Sequence, residues 1–550
     1  RKNIELRESI LDLFEKISLF LEKNEDYKIL KGIAMRELLQ LIPFYERCLL
    51  LNSLDFKKRI LVLEHELYGT MYQKVFSNFK NVRIVVLNNK EVKIGDHSSD
   101  KKKSKYLQKQ SKFKLLLDFY ESFKNQWAIS KSFAVFYIIS KYFWKILHSQ
   151  NYFKKYVIIN DSSLIRETTF WLTISGYKFI NERKIIENTY NALKTDSINK
   201  SLEKELNNLI SVHFKIFFSK ELNNVISSIT SSKIAIHYDS MKIAIPKYIK
   251  LINNQKIKGV LSVVLKNVAQ FAYYEAIKKK KIKLILFQHG ISREISKHCD
   301  LIVPFLEGAN SEIFITYNKK AKELYSNENS NCSKNYDVGV SQDYYPRLNK
   351  SNNKYPDILY NFTGIYCNQQ IASRGILDLD IAELEISILK DIFKKIPHKV
   401  LFKTYPNYWN YPGIDPIIET ARKIKNIEIY NKDIDSRFIM HDYKIIVTSR
   451  FTSTLGWSVM SGKPVVFLNT DQKYFCRNEV YELLKKSIIV FDKRDKNFIY
   501  KTKSFLKKSV EEIEEIYAKK RTSREEFVKK YISSYKSNAA KKISEILINI

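Results

Sequence analysis

Cysteine is scarce: Cys48, Cys299, Cys332, Cys367 and Cys476 are the only five, widely spaced, with no Cys-x-x-Cys pair and no histidine at zinc-ligand spacing. That excludes a disulfide framework and a structural zinc site, and the thiols read as buried side chains in a reducing compartment. Glycine (13) and proline (10) are also few, which excludes collagen-like and low-complexity classes. No run reaches the roughly 18–20 uncharged apolar residues of a membrane span, since even Phe133–Ile139 is closed by Lys141. Several motifs are missing as well: a Walker A loop, G-x-G-x-x-G, H-E-x-x-H and G-x-S-x-G. Their absence argues against P-loop enzymes, dinucleotide oxidoreductases and zincins.

Aliphatic, aromatic and basic residues are plentiful. The 550 residues are 45% hydrophobic and 13% aromatic, with a formal net charge of +35. At roughly 100–200 residues per domain, this length predicts two or three domains with large cores. The positive charge suits a polyanionic partner: nucleic acid, anionic lipid, a nucleotide donor or an acidic polysaccharide. The lysines are scattered, however, and accompany abundant Ile, Asn and Tyr, as an AT-rich genome would produce. No dedicated nucleic-acid surface is therefore expected.

Residues 1–54 carry apolar side chains at helical spacing (Leu6, Ile10, Leu13, Ile17, Phe20, then Leu38, Leu41, Leu49), predicting two helices. Short β-branched runs then alternate with amphipathic stretches. Strands are expected at Arg59–Leu63, Val82–Leu87, Tyr156–Ile159, Lys233–His237, Lys283–Phe287 and Ile313–Tyr317, with helices at Leu107–Phe123, Phe133–Leu147, Leu202–Ser228 and Gly259–Lys279. After a polar stretch between Cys332 and Tyr355 a second series follows: Ile358–Phe362, Lys399–Phe402, Ile427–Tyr430, Lys444–Val447, Val465–Leu468 and Ile488–Phe491. The reading is an α/β protein with one domain over 55–334, another over 335–500, and charged helices over 501–550 that pack back on the domains or lie on a membrane surface. Eight glycines and eight prolines fall between Gly290 and Pro464, where α/β sheets build ligand loops.

Three strand ends carry chemistry. Leu284-Ile285-Leu286-Phe287 runs into Gln288-His289-Gly290, placing two polar side chains and a permissive glycine at a crevice. A neutral imidazole there could donate to a carboxylate or phosphate, or relay a proton. Lys399–Phe402 ends in Lys403 and the turn Thr404-Tyr405-Pro406, which offers an ammonium and a phenol to an anion. Ile445-Ile446-Val447 feeds Thr448-Ser449-Arg450-Phe451-Thr452-Ser453-Thr454 before a short helix. One helix cap needs one hydroxyl. This loop has Ser449, Thr452, Ser453 and Thr454, and together with free backbone N–H groups they suit a phosphate.

This combination resembles GT-B glycosyltransferases of bacterial surface polysaccharides, and more narrowly the Kdo and sialic-acid type that use CMP-activated ulosonic acids. The resemblance spans about residues 55–495, with motifs of about 30 residues. It implies two Rossmann-like domains facing each other across a cleft, with extra helices at both ends. Lys403, Tyr405 and Pro406 would occupy the family's His-Pro element. Ser449, Arg450, Thr452, Ser453 and Thr454 would hold the donor phosphate, with Gln288 and Gly290 facing it. Tyrosine stands where the family has histidine, so His289 is expected to take part of that role. No metal or cofactor beyond the nucleotide sugar is implied. The partners would be that donor and a glycan or lipid-linked acceptor, at the cytoplasmic side of a membrane with peripheral contact to anionic lipid.

A reacting carboxylate is also required. Asp161 and Asp239 are the first candidates, each following a predicted strand; Glu64, Glu66 and Glu307 come after them. The nearest rival reading is a CDP-glycerol or CDP-ribitol phosphotransferase, which resembles the same fold. A nucleic-acid-binding protein with an inert crevice is the rival of a different class.

Overall fold

The computed structural model describes residues 2–53, 60–65, 82–87, 154–253, 255–291, 293–296, 307, 311–326, 334–345, 356–362, 378–404, 415–430, 435–449, 451–470 and 476–550. Helices expected at 107–123 and 133–147 lie outside these residues. So do Glu66, Tyr405, Pro406, Arg450 and three of the cysteines; Cys48 and Cys476 are buried.

Two six-stranded parallel sheets organise the chain. The first contains β3 (Lys155–Ile158), β4 (Lys178–Asn181), β5 (Ile257–Ser262), β6 (Lys283–Phe287), β7 (Ile313–Thr316) and β8 (Lys334–Asp337), in the order β4-β3-β5-β6-β7-β8. The second contains β9 (Ile358–Asn361), β10 (Val400–Lys403), β11 (Ile427–Tyr430), β12 (Ile445–Thr448), β13 (Val465–Asn469) and β14 (Ile489–Asp492), in the order β11-β10-β9-β12-β13-β14. Ahead of both, β1 (Ile60–His65) and β2 (Val82–Leu87) pair in parallel as a separate two-stranded ribbon.

Alternation along each strand explains the layering, because successive side chains leave opposite faces. Ile285 and Phe287 of β6 enter one core with Ile313 and Ile315 of β7, while Leu284, Leu286 and Phe314 enter the other. In the second sheet Ile358, Tyr360, Val400 and Phe402 share the first of these cores, whereas Leu359, Leu401 and Ile446 face a third. One hydrophobic core therefore runs from the first sheet into the second. The other face of the first sheet is covered by helices, including the N-terminal pair Lys2–Glu22 and Lys31–Ser53. Tyr45 of the second N-terminal helix donates to or accepts from Thr230 Oγ1 at 2.8 Å and packs its ring 4.9 Å from Phe214.

Gly290, just past β6, abuts Ser453, just past β12. The two sheets thus meet through their C-terminal edges, which is the GT-B arrangement of two Rossmann-like domains. The C-terminal residues return to the first domain: Ser534 N–H donates to Tyr317 O at 3.2 Å, and the Ala539–Ile548 helix buries Ile543 and Leu547 in the shared core. Tyr156 Oη donates to Leu547 O at 2.8 Å. Among the described residues no helix is long and apolar enough to cross a membrane.

Two expectations are corrected. Lys233–His237 is helical, part of Lys220–Asn253, because Leu222, Ile226, Thr230, Ile234 and Tyr238 form a buried stripe that outweighs a short β-branched run. Conversely, Gly259–Ser262 belongs to a strand. A Cβ on Gly259 would lie 2.8 Å from Ile285 Cδ1 and 3.0 Å from Tyr156, so this glycine admits its neighbours' side chains in the sheet interior. The strands β4, β5 and β8 were not anticipated.

The returning helix has a measurable role. Leu547→Ala, which opens a cavity between that helix and the first domain, is expected to cost about 2–5 kcal/mol. Tyr156→Phe should cost about 0.5–1.5 kcal/mol. Thermal unfolding followed by circular dichroism would check the ranking, and equal melting temperatures for Leu547→Ala and the parent would refute the packing role.

Candidate functional site

In the second sheet, strand order reverses between β9 and β12, so the loops after Asn361 and Thr448 leave toward opposite faces and open a crevice. Tyr430, Lys403, Asn361 and Thr448 stand side by side in register along this edge. Ser449 follows directly and is fully buried. Among the described residues its Oγ has no hydrogen-bond partner, and neither Nδ2 nor Oδ1 of buried Asn361 has one. An unsatisfied buried polar group costs about 1–3 kcal/mol, so such groups on adjoining strand ends point to a polar ligand. Lys403 is also buried; its Nζ donates to Thr404 O at 2.6 Å and lies 5.3 Å from the Tyr430 ring centroid.

The helix Ser453–Met460 begins at the same place. Thr452 is extended and makes no side-chain cap bond; in the first turn the Leu455 N–H donates to Thr452 O at 2.9 Å, and the Thr452, Ser453 and Thr454 side chains are partly exposed. Thr470 Oγ1 anchors the preceding loop by donating to Ser449 O at 2.9 Å.

The first domain supplies the opposite wall. Gln288 is buried, and its side chain braces the loop: Nε2 donates to Gly290 O and to Glu294 Oε1, both at 2.9 Å, while Oε1 accepts from Tyr317 N–H at 2.8 Å. The expectation that Gln288 faces the donor is thereby corrected to a supporting role. His289 is exposed, though ringed by protein, and burial, Lys266 and Arg437 together hold its imidazole below the usual histidine range. It is therefore neutral at pH 7. A Cβ on Gly290 would fall 2.1 Å from Ser453 Oγ, and one on Gly456 would fall 2.2 Å from Ile291 Cδ1. Each domain thus contributes a glycine that receives a side chain of the other.

Asp161 follows β3, where the strand order of the first sheet reverses. Its exposed carboxylate pairs with Arg166 Nε at 3.1 Å; burial pushes its pKa up, and Arg166 offsets part of that rise. Asn160 beside it donates to Val264 O at 2.7 Å and Gln270 Oε1 at 2.8 Å. Only β5 separates β3 from β6, so the strands that lead to Asp161 and His289 lie roughly 10 Å apart, two strand spacings. Asp239, in contrast, sits within the Lys220–Asn253 helix and accepts from Ser197 Oγ at 2.8 Å, so it is not at a strand end. Glu64 lies inside β1, in the separate ribbon.

Glu307 lies beneath His289. Its Oε1 accepts from the His289 N–H at 3.3 Å and its Oε2 from Tyr325 Oη at 3.0 Å, and burial pushes its pKa up to about 8. Sequence reasoning missed Asn361, which looked like any strand residue, and Arg437. The Arg437 guanidinium bonds Asp343 Oδ2 at 2.6 Å and Asp435 Oδ2 at 3.0 Å and stacks 4.7 Å from Trp457. Asp435 caps that turn through Arg437 N–H, and an Asp-x-Arg turn was the available signal.

No family model matches this chain, and no curated protein matches it. Among solved structures it is similar to MurG of Acinetobacter baumannii, at 9% identity over 72% of this chain and 100% of that one, with a TM-score of 0.37. It is also similar to a putative UDP-N-acetylglucosamine 2-epimerase of Listeria monocytogenes, at 13% identity over 71% and 94%, with a TM-score of 0.41. A third likeness is to Anabaena Alr3699/HepE in complex with UDP and glucose, at 8% identity over 72% of this chain and 100% of that one, with a TM-score of 0.39. Likenesses this distant assign no activity.

Two outcomes are expected of this geometry. Gly290→Ala should turn the Ser453 hydroxyl aside at a cost of about 0.5–1.5 kcal/mol, and Ser453→Ala in the same chain should recover most of the loss; additive melting shifts would refute the contact. Because folding raises the Glu307 pKa, the native state holds a proton that the unfolded state releases above the ordinary carboxylate range. Stability from this group therefore falls as pH rises from there through about 8. Glu307→Gln should remove that slope, so its melting temperature relative to the parent should be higher at pH 9 than at pH 5, and a pH-independent difference would refute it.

Proposed function

We propose that this protein is a glycosyltransferase that moves a sugar from a nucleotide donor, specifically an ulosonic acid from CMP, to a polysaccharide or lipid-linked acceptor. The observation that carries the reading is the pair Asn361 and Ser449, buried and unsatisfied among the described residues, with buried Lys403 in register beside Asn361 and the start of the Ser453–Met460 helix following Ser449. A phosphate fits there: Lys403 neutralises charge, Ser449 and the helix N–H groups donate to phosphate oxygens, and Asn361 serves the nucleoside or sugar with both a donor and an acceptor.

Transfer of an ulosonic acid needs few groups. Asp161 takes the proton of the acceptor hydroxyl as its oxygen attacks the anomeric carbon. The bond from that carbon to the phosphate oxygen breaks, and CMP leaves with the electron pair. Lys403 and the helix N–H groups stabilise the charge that grows on the phosphate. Neutral His289 donates a hydrogen bond to the sugar carboxylate or to the leaving phosphate, which it does without adding a proton to the balance. A donor carrying two negative charges is drawn by a chain of +35 net charge. Peripheral contact with anionic lipid at the cytoplasmic face follows from the same charge and would bring the enzyme to a lipid-linked acceptor.

The decisive experiment is a melting screen over CMP, CDP, UDP and single-stranded RNA, followed by assays with CMP-sugars and CDP-glycerol. Millimolar CMP should raise the melting temperature, and Ser449→Ala should abolish the rise. A rise with UDP alone would overturn the CMP assignment, turnover of CDP-glycerol would favour polyol phosphate transfer, and RNA binding without nucleotide binding would overturn the enzyme reading. Asp161→Asn should keep nucleotide binding and lower turnover by about 10²–10⁴. Unchanged turnover would remove Asp161 from the reaction.

A further inference from the structure

Outside the crevice, a cavity of about 650 Å³ lies on the first domain, between the second N-terminal helix and the helices Arg183–Leu193, Lys220–Asn253 and Val268–Lys279. Its size falls in the roughly 300–1,000 Å³ range of small-ligand sites. We infer that this pocket binds an anionic sugar unit of the acceptor, an inference that rests on the glycosyltransferase reading above.

Charge selects the ligand. Arg36, Lys194 and Lys233 line the pocket with His237, against the two carboxylates Glu37 and Glu187. Both carboxylates are occupied internally. Glu37 meets Arg36 Nη1 at 2.7 Å and His237 Nε2 at 3.5 Å. Glu187 Oε1 accepts from Arg183 Nε at 3.1 Å and Asn267 Nδ2 at 2.9 Å. Among the described residues Lys194 makes no ion pair, and Lys233 has none within 4 Å although its charge helps to hold the Glu37 carboxyl below the usual range, so both ammonium groups can meet a bound anion.

The rest of the lining suits a carbohydrate. Ser232 and Asn191 offer hydroxyl and amide groups, while Tyr190, Ile198 and Ile236 offer apolar surface for the C–H face of a sugar ring. Position ties the pocket to the reaction. Asn267, in the wall, caps the helix that carries Gln270, and Gln270 accepts from Asn160, the neighbour of Asp161. A chain seated in the pocket could therefore extend toward the proposed base at the edge of the first sheet.

Isothermal titration of the full chain with a glucuronic-acid trimer, glucose 6-phosphate and neutral maltotriose tests this. At least one charged probe should bind, more weakly as salt is raised, and maltotriose should bind at least about tenfold less tightly. Binding by the trimer or by the phosphate identifies the anionic group as carboxylate or phosphate. Lys233→Glu and Lys194→Glu should each weaken the charged probe at least about tenfold, with Lys519→Glu as an unaffected control. Equal binding of maltotriose, or charged-probe binding indifferent to both pocket substitutions in folded protein, would overturn the inference. CMP titrated into the same samples separates the two ideas: CMP binding without glycan binding defeats the pocket alone, and glycan binding without CMP binding defeats the proposed function alone.

Discussion

The closeness of two loop segments, one from each domain, governs how this molecule is built. Where Gly290 meets Ser453 and Gly456 meets Ile291, the missing side chains allow the strand end of one domain to seat against the helix start of the other. A Cβ at either position would have to turn aside the Ser453 hydroxyl or the Ile291 δ-methyl that now fills its place. The apolar core that continues from one sheet into the other depends on that approach, and so does the placement of His289 opposite the hydroxyl loop. Packed interiors do not deform smoothly, so the fit at these two points sets the width of the crevice.

Around that contact, polar groups divide into two kinds. Gln288, Asn160, Glu307 and Arg437 are engaged by neighbours and give the loops their shape. Asn361 and Ser449 are buried without partners among the described residues, and Asp161 and His289 are open to solvent. A site that holds a charged ligand requires both: stiff supports, and donors that hydration or internal bonds have not already taken. The neutral state of His289 belongs to the same design, since cations on both walls disfavour a further positive charge.

Much of this was legible in the residues, and the boundary of legibility has physical causes. The strands of the second domain stand out as short apolar runs because parallel strands are covered on both faces, which leaves Val400-Leu401-Phe402 or Val465-Val466-Phe467-Leu468 without alternation. The hydroxyl loop after β12 was visible because so many side chains of one type exceed what a helix cap uses. Lys233–His237 misled because five residues cannot show a period of four that takes sixteen to emerge. Asn361 carries no local mark at all. Its importance comes from lying beside the strand-order reversal, a property of how six strands are arranged rather than of any one of them. The same holds for the pocket, whose walls are drawn from helices more than 200 residues apart, as the bond from Arg36 Nε to Lys266 O illustrates.

The return of the C-terminal segment to the first domain bears on how the chain folds during synthesis. Ile543 and Leu547 are part of the core built on β3 and β6, and Tyr156 depends on the carbonyl of Leu547. The first domain therefore stays incomplete while the second is made. It exposes an apolar surface until residues 539–548 have been synthesised and have docked, and during that interval it is a natural client for a chaperone.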